Sequence, residues 1–198
     1  MIKLGITGGI GSGKSTVSRL FELSGVPVYN ADKETKTLND TSPVIREKLM
    51  HHFGAGIYDN EVLNKKKFAD IIFNDADKLQ LANSIIHPEV LKHFNQWCYQ
   101  HSNHSIVALE AAILFESNFH IHLDKIITVY TSLNIRVARV ALRDNVDEES
   151  VRNRIKHQMP EKKKISLSDY VIMNNDESSL IEQVNNLLNE ITHTSIKD

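Results

Sequence analysis

One cysteine, four prolines and one tryptophan are all that this 198-residue chain holds of those three types, and each scarcity excludes something. A lone Cys98 can form no internal disulfide and no C-x-x-C metal frame, so the chain does not read as a disulfide-stapled secreted domain. Cys98 lies between Trp97 and Tyr99 in an expected helix and reads as a buried, inert thiol. Charge of one sign is not in excess either. Lys and Arg number 23 against 25 Asp and Glu, a net charge of −2, which leaves no electrostatic footprint for nucleic acid, and none is expected as a partner. No apolar run approaches the roughly 20 residues of a membrane span, and the N-terminal segment lacks the shape of a signal peptide. A soluble, cytoplasmic protein with no membrane partner is expected. The ten histidines do not make a zinc site, because His51-His52 and His120/His122 come with neither a Cys nor an H-E-x-x-H frame.

Glycine is sparse too, and its distribution is informative. Four of the eight glycines fall between Gly8 and Gly13, in the run Gly8-Gly9-Ile10-Gly11-Ser12-Gly13-Lys14-Ser15-Thr16. The run satisfies G-x-x-x-x-G-K-[ST], follows an apolar stretch with strand character (Ile2, Leu4, Ile6), and opens onto a helical pattern with Val17, Leu20 and Phe21 on one face. Such a loop bends with its N–H groups turned inward, and the helix start adds partial positive charge. A nucleotide's phosphates would meet Gly9, Gly11, Ser12, Gly13 and Thr16 of the loop together with the Lys14 ammonium. The Ser15 hydroxyl can ligate Mg²⁺. A triphosphate and Mg²⁺ are the expected ligands.

Strand and helix alternate along the chain. A second strand is expected at Val26–Tyr29, followed by Asn30-Ala31-Asp32. From about 34 to 103 strand character is lost, with helical runs at Val44–Phe53, Lys65–Phe73, Asp77–Ile86 and Pro88–Cys98, Pro88 being placed at a helix start. Strands return at Ile106–Leu109, Ile126–Tyr130 and Tyr170–Ile172, nearly unbroken apolar runs that suit a parallel sheet covered on both faces. The expected architecture is α/β: a P-loop NTPase-type three-layer fold with a parallel sheet, a helical substrate-binding insertion and a helical lid. Its nucleotide-binding core would span 1–33, 104–143 and 166–198, its insertion 34–103 and its lid 144–165.

Ligands of open α/β sheets gather beyond the carboxyl ends of the strands. Asp32 stands just past such an end, where it can accept a hydroxyl proton or, alternatively, cap a helix beginning near Lys33. Glu110, closing the third strand, is either an acid that supports Mg²⁺ through water or a polar strand end. Glu116 lines an acceptor pocket or caps a turn. Arg136, Arg139 and Arg143 share one helical stripe opposite Leu133, Val137, Val140 and Ala141. The mixed-charge segment that follows, through Arg152, Arg154, Lys156, Gln158 and Lys162-Lys163-Lys164, reads as a lid that brings cations to the phosphates. His87 orients substrate or is structural.

Taken in order, the segment Leu4–Val17, Ala31-Asp32, His87-Pro88, Ile113-Leu114-Phe115-Glu116, Arg143-Asp144, Gln158 and Asp169-Tyr170-Val171-Ile172 leading to Asn174 resemble the dephospho-coenzyme A kinase family over nearly the whole chain. The resemblance implies transfer of the ATP γ-phosphoryl to the ribose 3′-hydroxyl of dephospho-CoA, giving CoA and ADP. It implies Asp32 as general base, Lys14 and the loop amides on the β and γ phosphates, and Arg139 and Arg143 as catalytic cations from the lid side. Asn174 would lie beside the adenine, the insertion would be the CoA-side domain, and His87 and Glu116 would serve the acceptor. Two departures stand out: the family usually has a proline where this chain has Ala112, and often an aspartate where it has Asn30. Another P-loop nucleoside or nucleotide kinase would share the loop, lid and Mg²⁺. A guanine-specific switch would carry D-x-x-G and [NT]-K-x-D, and neither occurs here.

Overall fold

The computed structural model describes residues 1–72, 74–175 and 177–194. In chain order the elements are β1 (Ile2–Thr7), α1 (Lys14–Leu23), β2 (Val28–Asn30), α2 (Ala31–Thr41), α3 (Pro43–Phe53), β3 (Tyr58–Asp59), β4 (Val62–Leu63), α4 (Lys65–Ile72), α5 (Ala76–Gln100), β5 (Ile106–Glu110), β6 (Lys125–Tyr130), α6 (Leu133–Asp144), α7 (Glu148–Lys156), α8 (Glu161–Ser166), β7 (Tyr170–Met173) and α9 (Leu180–Thr194). Phe73, expected to end a helical run, lies outside the described residues, as do residues 195–198 of the expected core. By contacts the chain divides into two units, Met1–Tyr29 with His101–Asp198, and Asn30–Gln100.

In the first unit the strands form one sheet in the order β2-β5-β1-β6-β7. β1 pairs in parallel with both β5 and β6, and β6 in parallel with β7. Parallel neighbours need crossovers, and the crossovers put cover on both faces, so every residue of β5 is buried. One face carries Leu4, Ile6, Ile127 and Val129, which pack with Val17 and Phe21 of α1 and Val184, Leu187 and Ile191 of α9. On the other face a Cβ at Gly5 would lie 2.8 Å from side-chain carbons of Leu114, Leu123 and Ile126. Thr128 meets Ser168, just past α8, at 2.6 Å. The α/β sheet with helices on both sides is therefore present. Its second strand is short, because Val26 and Pro27 precede it rather than opening it.

In the second unit three expectations are corrected. Residues 58–63 form a small antiparallel hairpin inside what reads as a purely helical stretch. Its two turn residues, Asn60 (φ 47°) and Glu61 (φ 72°), are left-handed. Glutamate is an uncommon occupant of that region, and here the Arg46 guanidinium holds it, bonding the Glu61 carbonyl at 3.0 Å and carboxylate at 3.1 Å. Pro88 does not start a helix; it lies inside the 25-residue α5. The hydrogen bond that its missing N–H forfeits is the one to Ser84, an exposed residue whose carbonyl water can serve. Finally, Asp32 is not the cap of α2. Asn30 is, its side-chain oxygen accepting from the Lys33 N–H at 2.8 Å, and Asp32 is left exposed in the first helical turn. The Cys98 thiol is buried, as expected. Among the described residues no helix is long and apolar enough to cross a membrane.

Candidate active site

The turn between β1 and α1 is built around an uncapped helix start. α2, α3 and α7 each begin with a side chain accepting a first-turn amide, from Asn30, Ser42 and Asp147. α1 begins at Gly13 with no side-chain cap and no acid in its first turn. α6 likewise starts without a side-chain cap or a first-turn acid; α1 differs in the glycine-rich loop that precedes it, and the positive end of its dipole suits an anion. Gly13 has φ +92°, and a Cβ on it would collide with the Asn174 carboxamide, so only glycine fits there. Asn174 is buried and donates to the Ser12 carbonyl at 2.8 Å.

Lys14 is 9% exposed, and its ammonium folds back over the loop to donate to the carbonyls of Gly8 (3.0 Å) and Gly9 (3.4 Å). The loop closes on itself through the Ser12 N–H to the Gly9 carbonyl, 3.1 Å. The Ser12 and Thr7 hydroxyls are buried with no protein partner, polar atoms in search of one. Ser15 and Thr16 are exposed. Glu110 ends β5 in register with Ile6 of β1, hence beside the strand that leads into the loop, and is 9% exposed.

The cations of α6 and α8 are distributed differently from the expected stripe. Arg136 is buried at 4% exposure on the same face as Val137 and Val140, while Leu133 is 45% exposed. Burial of a guanidinium requires a partner, and Glu161 of α8 supplies it at 3.3 Å. The pair backs directly onto Gly9, where a Cβ would run into the Arg136 guanidinium. Arg139 faces the loop more openly, with Nη1 3.9 Å from the Cβ position of Gly13. Arg143 turns instead to Asp144 at 2.8 Å, and Asp144 also accepts from Arg154 at 2.7 Å. The two guanidinium groups hold the Asp144 carboxyl well below the usual carboxylate range, Arg143 contributing most. Lys164 reaches no phosphate position. It is fully buried, donating to the Ala112 carbonyl at 2.7 Å and pairing with Glu116 at 3.1 Å.

Glu116 also accepts the Met159 N–H at 2.7 Å, so the same oxygen ties the connection between α7 and α8 to α8 itself. Gln158, in that connection, accepts the Ile10 N–H of the loop at 2.9 Å. Asp32 and His87 belong to the second unit. Asp32 is exposed two residues beyond β2. His87 is half-buried in α5, and burial pushes its imidazole below the ordinary value.

Sequence reasoning missed Arg136–Glu161, the Glu116–Lys164 anchor and the Gln158–Ile10 bond. The helical stripe put Arg136 with its exposed neighbours, and no local pattern distinguishes a glutamine that reaches a loop 148 positions away.

The hard oxygen donors near the loop, the exposed Ser15 hydroxyl and the Glu110 carboxylate, suit Mg²⁺, which keeps several waters and takes few protein ligands beside phosphates. Among the described residues no cluster of three His, Cys, Asp or Glu side chains forms a self-sufficient metal cage.

A family model for dephospho-CoA kinase matches residues 2–179. The dephospho-CoA kinase of Bacteroides fragilis is 43% identical over 187 residues, 94% of this chain and 91% of that protein. Among solved structures, a Thermus thermophilus protein is similar at TM-score 0.81 and 29% identity, covering 98% of this chain and 97% of its own. The Campylobacter jejuni dephospho-CoA kinase follows at TM-score 0.70 and 22% identity, with 98% of each chain covered. The chain belongs to the dephospho-CoA kinase family, which is a family of ATP-dependent kinases.

Proposed function

We propose that this chain transfers the γ-phosphoryl of ATP to the ribose 3′-hydroxyl of dephospho-CoA, with the roles divided as follows. The loop from Gly9 to Thr16 and the Lys14 ammonium hold the β and γ phosphates, with the Ile10, Ser12 and Thr16 N–H groups committed to Gln158, Gly9 and Gly13. Lys14 is already within the loop, so a small rotation of its side chain exchanges two carbonyl partners for phosphate oxygens. Ser15, with Glu110 through water, would hold Mg²⁺, which when bound neutralises charge on the phosphate oxygens. Asp32 accepts the 3′-hydroxyl proton as the new O–P bond forms and the bond to the ADP oxygen breaks. Its exposure, and the capping of α2 by Asn30 in its stead, leave its carboxylate available for that work.

Arg139 supplies positive charge to the transferring group, supported by its approach to Gly13. Arg143 joins it only by giving up Asp144. His87 orients the acceptor, a task its half-buried neutral imidazole suits. Glu116 serves the acceptor side indirectly, since one of its oxygens is committed to Met159 and Lys164. Asn174 supports the loop from beneath while its neighbourhood receives the adenine. By this reading residues 34–103 serve the CoA side and 144–165 the lid. The reaction demands little covalent work of the protein, so positioning and charge neutralisation supply most of the acceleration. A cytoplasmic setting follows from the water-soluble substrates.

The observation that carries this reading is the uncapped start of α1 with Lys14 folded over the loop. The test is mass-spectrometric detection of CoA after incubation with ATP, Mg²⁺ and dephospho-CoA, with nucleosides and nucleoside monophosphates as competing acceptors. CoA formed in preference to phosphorylated nucleosides supports it; ATP binding without any phosphorylated small acceptor, or preference for a nucleoside, refutes it.

A further inference from the structure

Ile10 is held from outside the phosphate loop, and by two independent contacts. Its side chain packs against the apolar cluster of Val137, Val140 and Val151, contributed by α6 and α7. Its N–H donates to Gln158 Oε1 at 2.9 Å. Gln158 itself is well fixed. Its own N–H is bonded to the Ile155 carbonyl at 3.0 Å, the next N–H goes to Glu116 at 2.7 Å, and the Pro160 carbonyl accepts from Lys163 and Lys164 at 2.9 and 3.1 Å.

The bond to Ile10 fixes more than one amide. The Ile10 N–H and the Gly9 carbonyl belong to one peptide plane, and a plane moves as a unit. That Gly9 carbonyl accepts both the Lys14 ammonium at 3.4 Å and the Ser12 N–H at 3.1 Å. We propose that Gln158 is a positioning residue for ATP. By accepting the Ile10 N–H it sets the Gly9–Ile10 peptide plane, and through that plane the resting place of the Lys14 ammonium and the curvature of the loop. Gln158 touches no reacting atom in this role; it acts through the loop. The proposal rests on the kinase reading only in taking ATP as the ligand of the loop.

The test compares Gln158→Met, which keeps the length and removes the acceptor, with Gln158→Glu, which keeps an oxygen there. ATP affinity by calorimetry, KM for each substrate, the melting temperature and the exchange rate of the Ile10 amide by NMR are read on the full chain. Gln158→Met is expected to raise the ATP Kd and KM about tenfold, the scale of one lost hydrogen bond. The KM for dephospho-CoA should stay put and Ile10 exchange should quicken. Gln158→Glu should lie nearer the wild type on every readout. Gln158→Ala removes the same acceptor and serves equally where the methionine disturbs packing.

Three results would overturn the proposal: unchanged ATP affinity without the acceptor, tighter ATP binding, which would make Gln158 a competitor of the nucleotide, or an equal loss for both substrates with a lowered melting temperature that glutamate does not restore. A wild-type enzyme that forms no CoA would instead defeat the kinase reading, and the ATP calorimetry would still decide on Gln158.

Discussion

Asn174, the first residue past β7, donates its side-chain amide to the Ser12 carbonyl at 2.8 Å and so joins the last strand of the sheet to a loop 162 positions earlier. The same carboxamide occupies the space that a Cβ on Gly13 would take. The two positions are thus coupled by geometry: glycine at one is what lets asparagine reach across the other.

Asn174→Ala should destabilise the fold by about 1–3 kcal/mol, the cost of a buried carbonyl deprived of its donor. Gly13→Ala should cost about as much through its left-handed backbone alone, and more through the collision. The collision disappears in the double variant, so the two losses should fall short of their sum. Urea denaturation of the four proteins measures it, and strict additivity would refute the coupling.

Lys14→Ala and Asp32→Asn should separate binding from chemistry. The first is expected to weaken ATP binding and turnover together. The second should leave the ATP Kd near that of the wild type and lower kcat by roughly 10²-fold or more, the range of general-base contributions. Calorimetry with ATP beside steady-state kinetics reads both; full turnover in Asp32→Asn removes that carboxylate from the mechanism.

The Arg136–Glu161 pair, with side chains only 5% and 12% exposed, should behave as buried ion pairs do. Arg136→Met strands a carboxylate against Gly9 and is expected to cost about 3–5 kcal/mol, while removal of both charges should cost much less. Chemical denaturation of both variants is the measurement. A double variant as unstable as the single one would show that packing, not charge, dominates there.

Burial depresses the His87 imidazole below its ordinary 6.5, which makes stability pH-dependent. The unfolded chain takes up the proton first, so the stabilising contribution is complete above the unfolded value and is lost as pH falls through 6.5 toward the folded value. Between about pH 7.5 and 5 the wild type should lose melting temperature more steeply than His87→Gln. An NMR titration should place the His87 midpoint below 6.5, and a midpoint at or above it contradicts the assignment.

The strands were legible because each is a short apolar run bounded by turn residues, and α1 because Val17 and Phe21 recur at helical spacing. The hairpin over 58–63 was not, because its turn carries Glu61 where glycine is usual and the compensating Arg46 lies 15 positions away. Pro88 misled for a related reason: local preference places it at a helix start, whereas packing of α5 on both sides of it outweighs one missing hydrogen bond. Periodicity placed Arg136 on the polar stripe with Arg139 and Arg143, and the carboxylate that permits its burial belongs to another helix.

That a glycine-rich bend joins the first strand to the first helix is written in neighbouring residues, since Gly13, Lys14 and Ser15 act through backbone conformation and adjacency, which are local. Tertiary structure alone decided which side chains hold that bend in shape. Asn174, Gln158 and the Arg136–Glu161 pair reach it from 127 to 162 positions away, from separate helices and turns. Contacts of that range exist only once the sheet has closed its order and the apolar clusters have packed, because no propensity or spacing along the chain encodes which distant donor will meet which carbonyl.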